Sequence, residues 1–157
     1  MECVLLPAVT PRTSTHTIEF PYARTLGPAL RPFMTGLRDG RILGVRAGDG
    51  RVLCPPCEWE PETGEPIDLD LDFVEVGPGG VVQTWSWVSE PTSKHPVQQP
   101  FAFALIKLDG ADTALVHAVD AGSIDAMSTG MRVTPRWKAE RVGRIDDIEA
   151  FVPEGGA

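Results

Sequence analysis

Phe101-Ala102-Phe103-Ala104-Leu105-Ile106-Lys107-Leu108 reads as a β-strand with two apolar faces. Alternate side chains of a strand point to opposite sides, so Phe101, Phe103 and Leu105 share one face while Ala102, Ala104, Ile106 and Leu108 share the other. A strand of this kind is covered twice. One face is expected to line a barrel core, where each large side chain contributes roughly 1.5–3 kcal/mol on burial. The other is expected to meet an N-terminal lobe or another protein, which makes Phe101 a candidate contact residue.

The flanking sequence continues strand, turn, strand. Asp109-Gly110 makes a turn before Thr113–Val119, Ala121–Thr129 has room for about one helical turn, Met131–Glu140 is a further strand, and Ile145–Val152 is a last short one. Upstream, Phe73–Val76 and the turn Gly77-Pro78-Gly79-Gly80 precede Val81–Val88, whose alternation puts Val81, Trp85 and Trp87 on one face. A proline-rich loop from Pro91 to Pro100 joins this strand to the next. About five strands with a short helix before the fourth have the size and order of an OB-fold barrel, whereas a β-sandwich needs about seven strands. The predicted fold is mainly β: a five-stranded OB-fold barrel over residues 72–153, followed by a tail at 154–157.

The N-terminal part reads differently. Residues 1–24 are rich in Pro, Thr and Ser and have no period, which predicts an extended arm that orders only on docking. From Pro28 to Asp39, Leu30, Phe33, Met34 and Leu37 fall at i, i+3, i+4 and i+7 and predict a short amphipathic helix stopped by Gly40, with Pro32 and Gly36 weakening it. Arg41–Arg46 and Arg51–Leu53 flank Ala47-Gly48-Asp49-Gly50 as a hairpin, and Cys54-Pro55-Pro56-Cys57 ends it. Glu58–Leu71, with Pro61, Gly64 and Pro66, predicts a solvated acidic linker, so helix, hairpin and linker form a lobe over residues 25–71.

The formal charge of −8 is unevenly placed: Glu58–Glu75 holds eight acidic residues and no base, while Met131–Arg144 holds five basic residues and one acid. A net-acidic chain is repelled by polyphosphate, so general nucleic-acid binding is not expected. The alternative, an OB-fold that stacks single-stranded bases on Trp85 and Trp87, conflicts with that charge; core packing or a protein interface suits paired tryptophans better. Met1–Arg12 lacks the charged start and longer apolar run of a secretory signal, and no stretch approaches the ~20 apolar residues that span a bilayer. Three cysteines, Cys3, Cys54 and Cys57, cannot all pair within the chain, which fits a reducing, cytoplasmic setting.

Candidate chemistry is sparse. Cys54-x-x-Cys57 has metal-ligand spacing, but structural zinc wants four ligands and the opposite hairpin offers only Asp49, so the two cysteines are a residual pair and no metal is expected. None of His16, His95 and His117 accompanies a recognisable nucleophile, so no catalytic residue is assigned. His95, in the long loop, is a candidate ligand or partner contact. Arg132, Arg136 and Lys138 share a strand face and form either a solvated edge or a cradle for coenzyme A phosphates.

The order of Gly36-Leu37-Arg38-Asp39-Gly40-Arg41-Ile42-Leu43-Gly44, Gly50-Arg51-Val52-Leu53-Cys54-Pro55-Pro56, Glu75-Val76-Gly77 with Gly80-Val81-Val82, Pro100–Gly110 and Gly130-Met131-Arg132-Val133 resembles the zinc-ribbon plus OB-fold, acyl-CoA-associated proteins of the domain of unknown function 35. The resemblance runs from about Phe20 to Pro153 and is nearest to the subunits paired with thiolase-like steroid side-chain aldolases, which act by retro-aldol chemistry. It implies a non-catalytic accessory subunit without a cofactor, bound to a thiolase-like enzyme and helping to form its acyl-CoA passage. The chain departs from the family pattern in lacking the first ribbon cysteine pair, so a degenerate ribbon is expected. Phe33, Trp85, Trp87, His95 and Phe101 are the candidate contacts, with Arg132, Arg136 and Lys138 beside them.

Overall fold

The computed structural model describes residues 13–21, 25–70 and 72–155. Most of the expected arm, Cys3 and the last two residues of the tail lie outside the described residues. The described piece of the arm, residues 13–21, has no regular secondary structure and is exposed.

Helix α1 spans Gly27–Arg38, close to the predicted bounds. Pro28 sits in its first turn, where a missing N–H is harmless. Its buried face is Ala29, Phe33, Gly36 and Leu37, so the helix is rotated slightly from the predicted stripe and Leu30 is left partly in solvent. Gly36, which the sequence reading took as a weakness, is the point of contact: a Cβ there would lie 3.0 Å from the carbonyl of Arg41 and 3.1 Å from Leu43 Cγ.

Strands β1 (Ile42–Arg46) and β2 (Val52–Leu53) form the predicted hairpin. Strand β3 (Phe73–Val76) pairs antiparallel with the other side of β1, from Ile42↔Val76 to Val45↔Phe73, giving a three-stranded sheet in the order β2-β1-β3. The boundary expected after residue 71 is therefore crossed, because β3 completes the sheet of the lobe.

The acidic stretch is not a solvated linker. Glu60 is buried, accepts the backbone N–H groups of Glu62 and Thr63 at 2.8 Å each, and is ion-paired to Arg51. Arg51 also pairs with Asp49 and Glu62. Trp59 and Pro66 form a bridge that turns the segment back, and Ile67 enters a small core with Val45, Ala47 and Leu53. One buried acid with a guanidinium partner converts a proline-rich stretch into an ordered cap on the hairpin.

The remaining strands are β4 (Gly80–Val88), β5 (Phe101–Leu108), β6 (Ala114–Val119), β7 (Arg132–Trp137) and β8 (Ile148–Pro153), closed in the order β4-β5-β6-β8-β7 with a 3-10 turn at Ile124–Ala126 before β7. The closing contacts are Gly80↔Val133 between β4 and β7 and the parallel pair Val119↔Phe151 between β6 and β8. The predicted five-stranded OB-fold barrel is present. Strand β7 stops at Trp137, three residues short of the predicted Glu140, with Glu149 of β8 bulged opposite its end, and the predicted start of the last strand is a 3-10 turn at Ile145–Asp147. The carboxylate of buried Asp147 organises that turn by accepting the N–H groups of Val142, Gly143 and Arg144. Burial opposes its ionisation, and these backbone donors outweigh the burial, so its pKa lies below the usual carboxylate value.

A continuous core joins Phe33, Leu37, Ile42 and Val76 of the lobe to Val82, Ile106, Leu108 and Val133 of the barrel. Lobe and barrel thus share their apolar interior.

Candidate functional site

The two faces of β5 have different fates. Ala102, Ala104, Ile106 and Leu108 lie in the core, opposite Trp87, Trp85, Val82 and Gly80 of β4. A bulge at Gln83, between Val82 and Thr84, shifts the alternation. Trp85 and Trp87 therefore share a face with Val82, not with Val81 as simple alternation implied, and both are half-buried against the core. On the outer face Phe101 is fully buried with Val97, Ala118 and Ala150 beneath the 91–100 loop. Further along that face the cover ends: Thr84, Ser86, Phe103, Leu105 and Val116 border an apolar hollow of about 220 Å³, and Val116 is 59% exposed.

The loop is held down by His95. Its Nδ1 accepts the N–H of Thr92 at 2.8 Å, and its ring lies 5.8 Å from that of Phe101 and 6.2 Å from that of Phe103. His95 is thus half-buried as a loop anchor with Nε2 as its remaining ring donor.

A second apolar surface lies on the lobe. Leu26, Ala29 and Leu30 at the start of α1 face Pro56, Cys57 and Trp59 around a groove of about 330 Å³. Trp59 is 58% exposed. Neither Trp59 nor Val116 was singled out in the sequence, although a tryptophan between Glu58 and Glu60, and a valine on the strand face opposite Leu115 and His117, carried the signal.

Several expected contacts are corrected. Phe33 is 1% exposed and Phe101 is 0% exposed, so both are core residues with no surface to offer. Arg132 makes a bidentate pair with Asp109 at 2.7 Å and a third bond to Glu154 at 2.7 Å, while Arg136 pairs with Asp120 at 3.0 Å and Glu149 at 2.9 Å. With two carboxylates each, these arginines form a solvated ion-pair ladder, not a phosphate cradle. Lys138 lies just past the end of β7 and pairs with Asp146 at 2.8 Å.

The donor set at Cys54-x-x-Cys57 does not fit a zinc ribbon. Cys54 is buried, and burial pushes its thiol up to about 12, which disfavours the thiolate a metal requires. Cys57 Sγ faces the carbonyl of Trp59 at 3.1 Å. Among the described residues, no three His, Cys, Asp or Glu side chains come together as metal ligands. His117 is buried inside the barrel, 5.4 Å from the ring of Phe151, with its two nitrogens 3.3–3.4 Å from the carbonyls of Ile145 and Ala118. His16 lies in the exposed arm. The geometry offers surfaces for binding and, among the described residues, no nucleophile beside a base.

Residues 73–138 match the family model of the C-terminal OB-fold domain of ChsH2. The barrel is thus similar to that OB-fold domain over less than half of the chain. Two solved structures share the fold. One is a DUF35-family protein from Sulfolobus solfataricus, 20% identical with a TM-score of 0.55 over 69% of this chain and 78% of that one. The other is the Ltp2-ChsH2(DUF35) aldolase, 23% identical with a TM-score of 0.56 over 77% of this chain and 91% of that one. No curated protein matches the chain. The match begins at β3, so the matched sequence includes the strand that ties the lobe to the barrel. No described helix is long and apolar enough to cross a membrane.

Proposed function

We propose that this chain is a non-catalytic accessory subunit that binds a thiolase-like, acyl-CoA-processing enzyme and helps form its acyl-CoA passage. The partner is a thiolase or a retro-aldol lyase of steroid or lipid side-chain degradation, and the complex works in the cytoplasm. The match of residues 73–138 to the ChsH2 domain carries the reading. A similar fold in an aldolase that contains a ChsH2 chain supports it. So do two uncovered apolar surfaces, the hollow at Phe103, Leu105 and Val116 and the groove at Trp59.

The single-strand-binding alternative requires aromatic rings open to bases. Trp85 and Trp87 lie on the core face of β4, and the chain carries a net charge of −8, so the reading omits nucleic acid. The test is co-expression with thiolase-like proteins encoded beside it, followed by size-exclusion chromatography and an acyl-CoA cleavage assay on each protein alone and together. A stable complex in which only the partner turns over substrate is expected. A strictly monomeric chain that leaves the partner unchanged, or cleavage of acyl-CoA by this chain alone, overturns the assignment.

A further inference from the structure

The face of the barrel beside the 91–100 loop carries a cavity of about 400 Å³ that none of the surfaces above includes. Lys94 and His95 come from that loop, Lys138 from the end of β7, and Arg144 and Asp146 from the turn before β8. Three cations converge from separate elements of a chain that is acidic as a whole.

Their pairing differs from that of the neighbouring ladder. Arg132 and Arg136 are each held by two carboxylates, whereas Lys138 and Arg144 share the single carboxylate of Asp146, at 2.8 and 3.0 Å. Arg144 uses only Nε in that bond, which leaves the terminal fork of its guanidinium without a side-chain partner among the described residues. Lys94 has no carboxylate partner among the described residues. Glu149 also borders the cavity and shares Arg136, at 2.9 Å, with Asp120. Lys94, Lys138 and Arg144 against Asp146 and Glu149 leave one positive charge in excess. His95 adds a donor at Nε2, since its Nδ1 accepts the Thr92 N–H.

We propose that this cavity binds a diphosphate group. A guanidinium fork matches two phosphoryl oxygens, and the two ammonium groups act as point charges on the remainder. Liquid water takes about 30 Å³ per molecule, so the cavity has room for roughly a dozen waters, more than a single phosphate fills. The site is open to solvent and must displace Asp146 from its two cations, so the affinity is modest and falls with salt. The inference concerns the isolated chain and does not rest on the accessory-subunit reading.

The test is calorimetric titration of the full chain with inorganic pyrophosphate at low ionic strength. Saturable one-to-one binding is expected, weakened at least tenfold in the double variant Lys94→Ala/Arg144→Ala and unchanged in Lys107→Ala, a cation elsewhere on the barrel. Circular dichroism on each variant separates lost binding from lost folding, and Lys94→Ala alone, an exposed loop change, should still weaken binding severalfold. Absence of saturable binding at millimolar pyrophosphate, equal binding by the double variant, or citrate binding as tightly as pyrophosphate would overturn the proposal.

Discussion

Asp112 and Val52 exchange two hydrogen bonds across the junction of lobe and barrel: the Val52 N–H donates to Asp112 Oδ2 at 2.8 Å, and the Asp112 N–H donates to the Val52 carbonyl at 2.7 Å. Two residues on, Thr113 Oγ1 accepts the Cys54 N–H at 2.8 Å and donates to the Cys54 carbonyl at 3.0 Å. The turn between β5 and β6 thus occupies the free edge of β2 as a further strand would, partly through side chains. On the other side of the lobe Arg141 Nε donates to the Arg38 carbonyl at the end of α1 at 3.0 Å. With a shared core between them, lobe and barrel are fixed to each other and present their surfaces in one orientation.

Thr113→Val keeps the shape of the side chain and removes both bonds to Cys54. Because the groups left behind are partly buried, a loss of about 2 kcal/mol in unfolding free energy is expected. Thr113→Ser should recover most of it. Urea denaturation of the three proteins checks this, and an unchanged midpoint in Thr113→Val would show that the latch contributes nothing.

Gly80 pairs with Leu108 where the barrel closes, and a Cβ there would stand 2.7 Å from the carbonyl oxygen of Lys107 and 3.0 Å from Leu108 Cα. Backbone cannot move aside as a side-chain tip can. Gly80→Ala is expected to destabilise by roughly 1–3 kcal/mol through separation of β4 from β5. Thermal unfolding of the variant reads the effect directly.

His117 gives the fold a pH dependence of known sign. Burial lowers its pKa from the ordinary 6.5 more than the carbonyls of Ile145 and Ala118 raise it, so the native barrel prefers the neutral ring. Above pH 6.5 folded and unfolded chains are both neutral here and this contribution is complete. As the pH falls below 6.5 the unfolded chain binds a proton that the folded chain resists, and stability declines until the folded pKa is passed. The carboxylates held low, at Asp49, Glu60, Asp109, Asp146 and Asp147, withdraw their support only in more acid solution. Melting temperatures between about pH 7 and pH 5 should slope downwards in the native protein and flatten in His117→Gln. Parallel slopes would mean that His117 is not their source.

Val116 is exposed on the outer face of β6, so Val116→Asp should change folding stability by no more than about 0.5 kcal/mol. If the outer hollow contacts the partner, the same substitution should weaken the complex at least tenfold, as desolvating an unpaired carboxylate does at an interface core. Trp59→Ala tests the lobe groove in the same way. Surface plasmon resonance with the immobilised partner distinguishes them, and two variants that bind as tightly as the native chain would place the interface elsewhere.

Much of the barrel was legible because strand alternation, Asp-Gly and Gly-Gly turns and the short helical step are local signals. Helix α1 was readable for the same reason. The contact candidates were less legible. Phe33 and Phe101 look like anchors in the sequence because large aromatics suit both a core and an interface, and only their neighbours decide between the two. Trp85 and Trp87 changed face because one residue was inserted at Gln83, and nothing local distinguishes a bulged strand from a regular one. Arg132 and Arg136 form a basic stripe on paper and an ion-pair ladder in space, since their acids come from Asp109, Asp120, Glu149 and Glu154 on other strands and turns.

The sequence by itself determined the class of fold, the number of barrel strands and the place of the helix. These follow from periodicity, turn chemistry and residue inventory, which act over a few neighbouring positions. Tertiary structure alone decided that β3 joins the sheet of the lobe, that Glu60 and Arg51 fold the acidic stretch over the hairpin, and that His117 is sealed in the barrel. It also brought Lys94, Lys138 and Arg144 to one cavity from three segments. Each of these depends on pairing between residues distant in the chain, and a charge or an aromatic ring has no assigned role until the closed barrel fixes what stands opposite it.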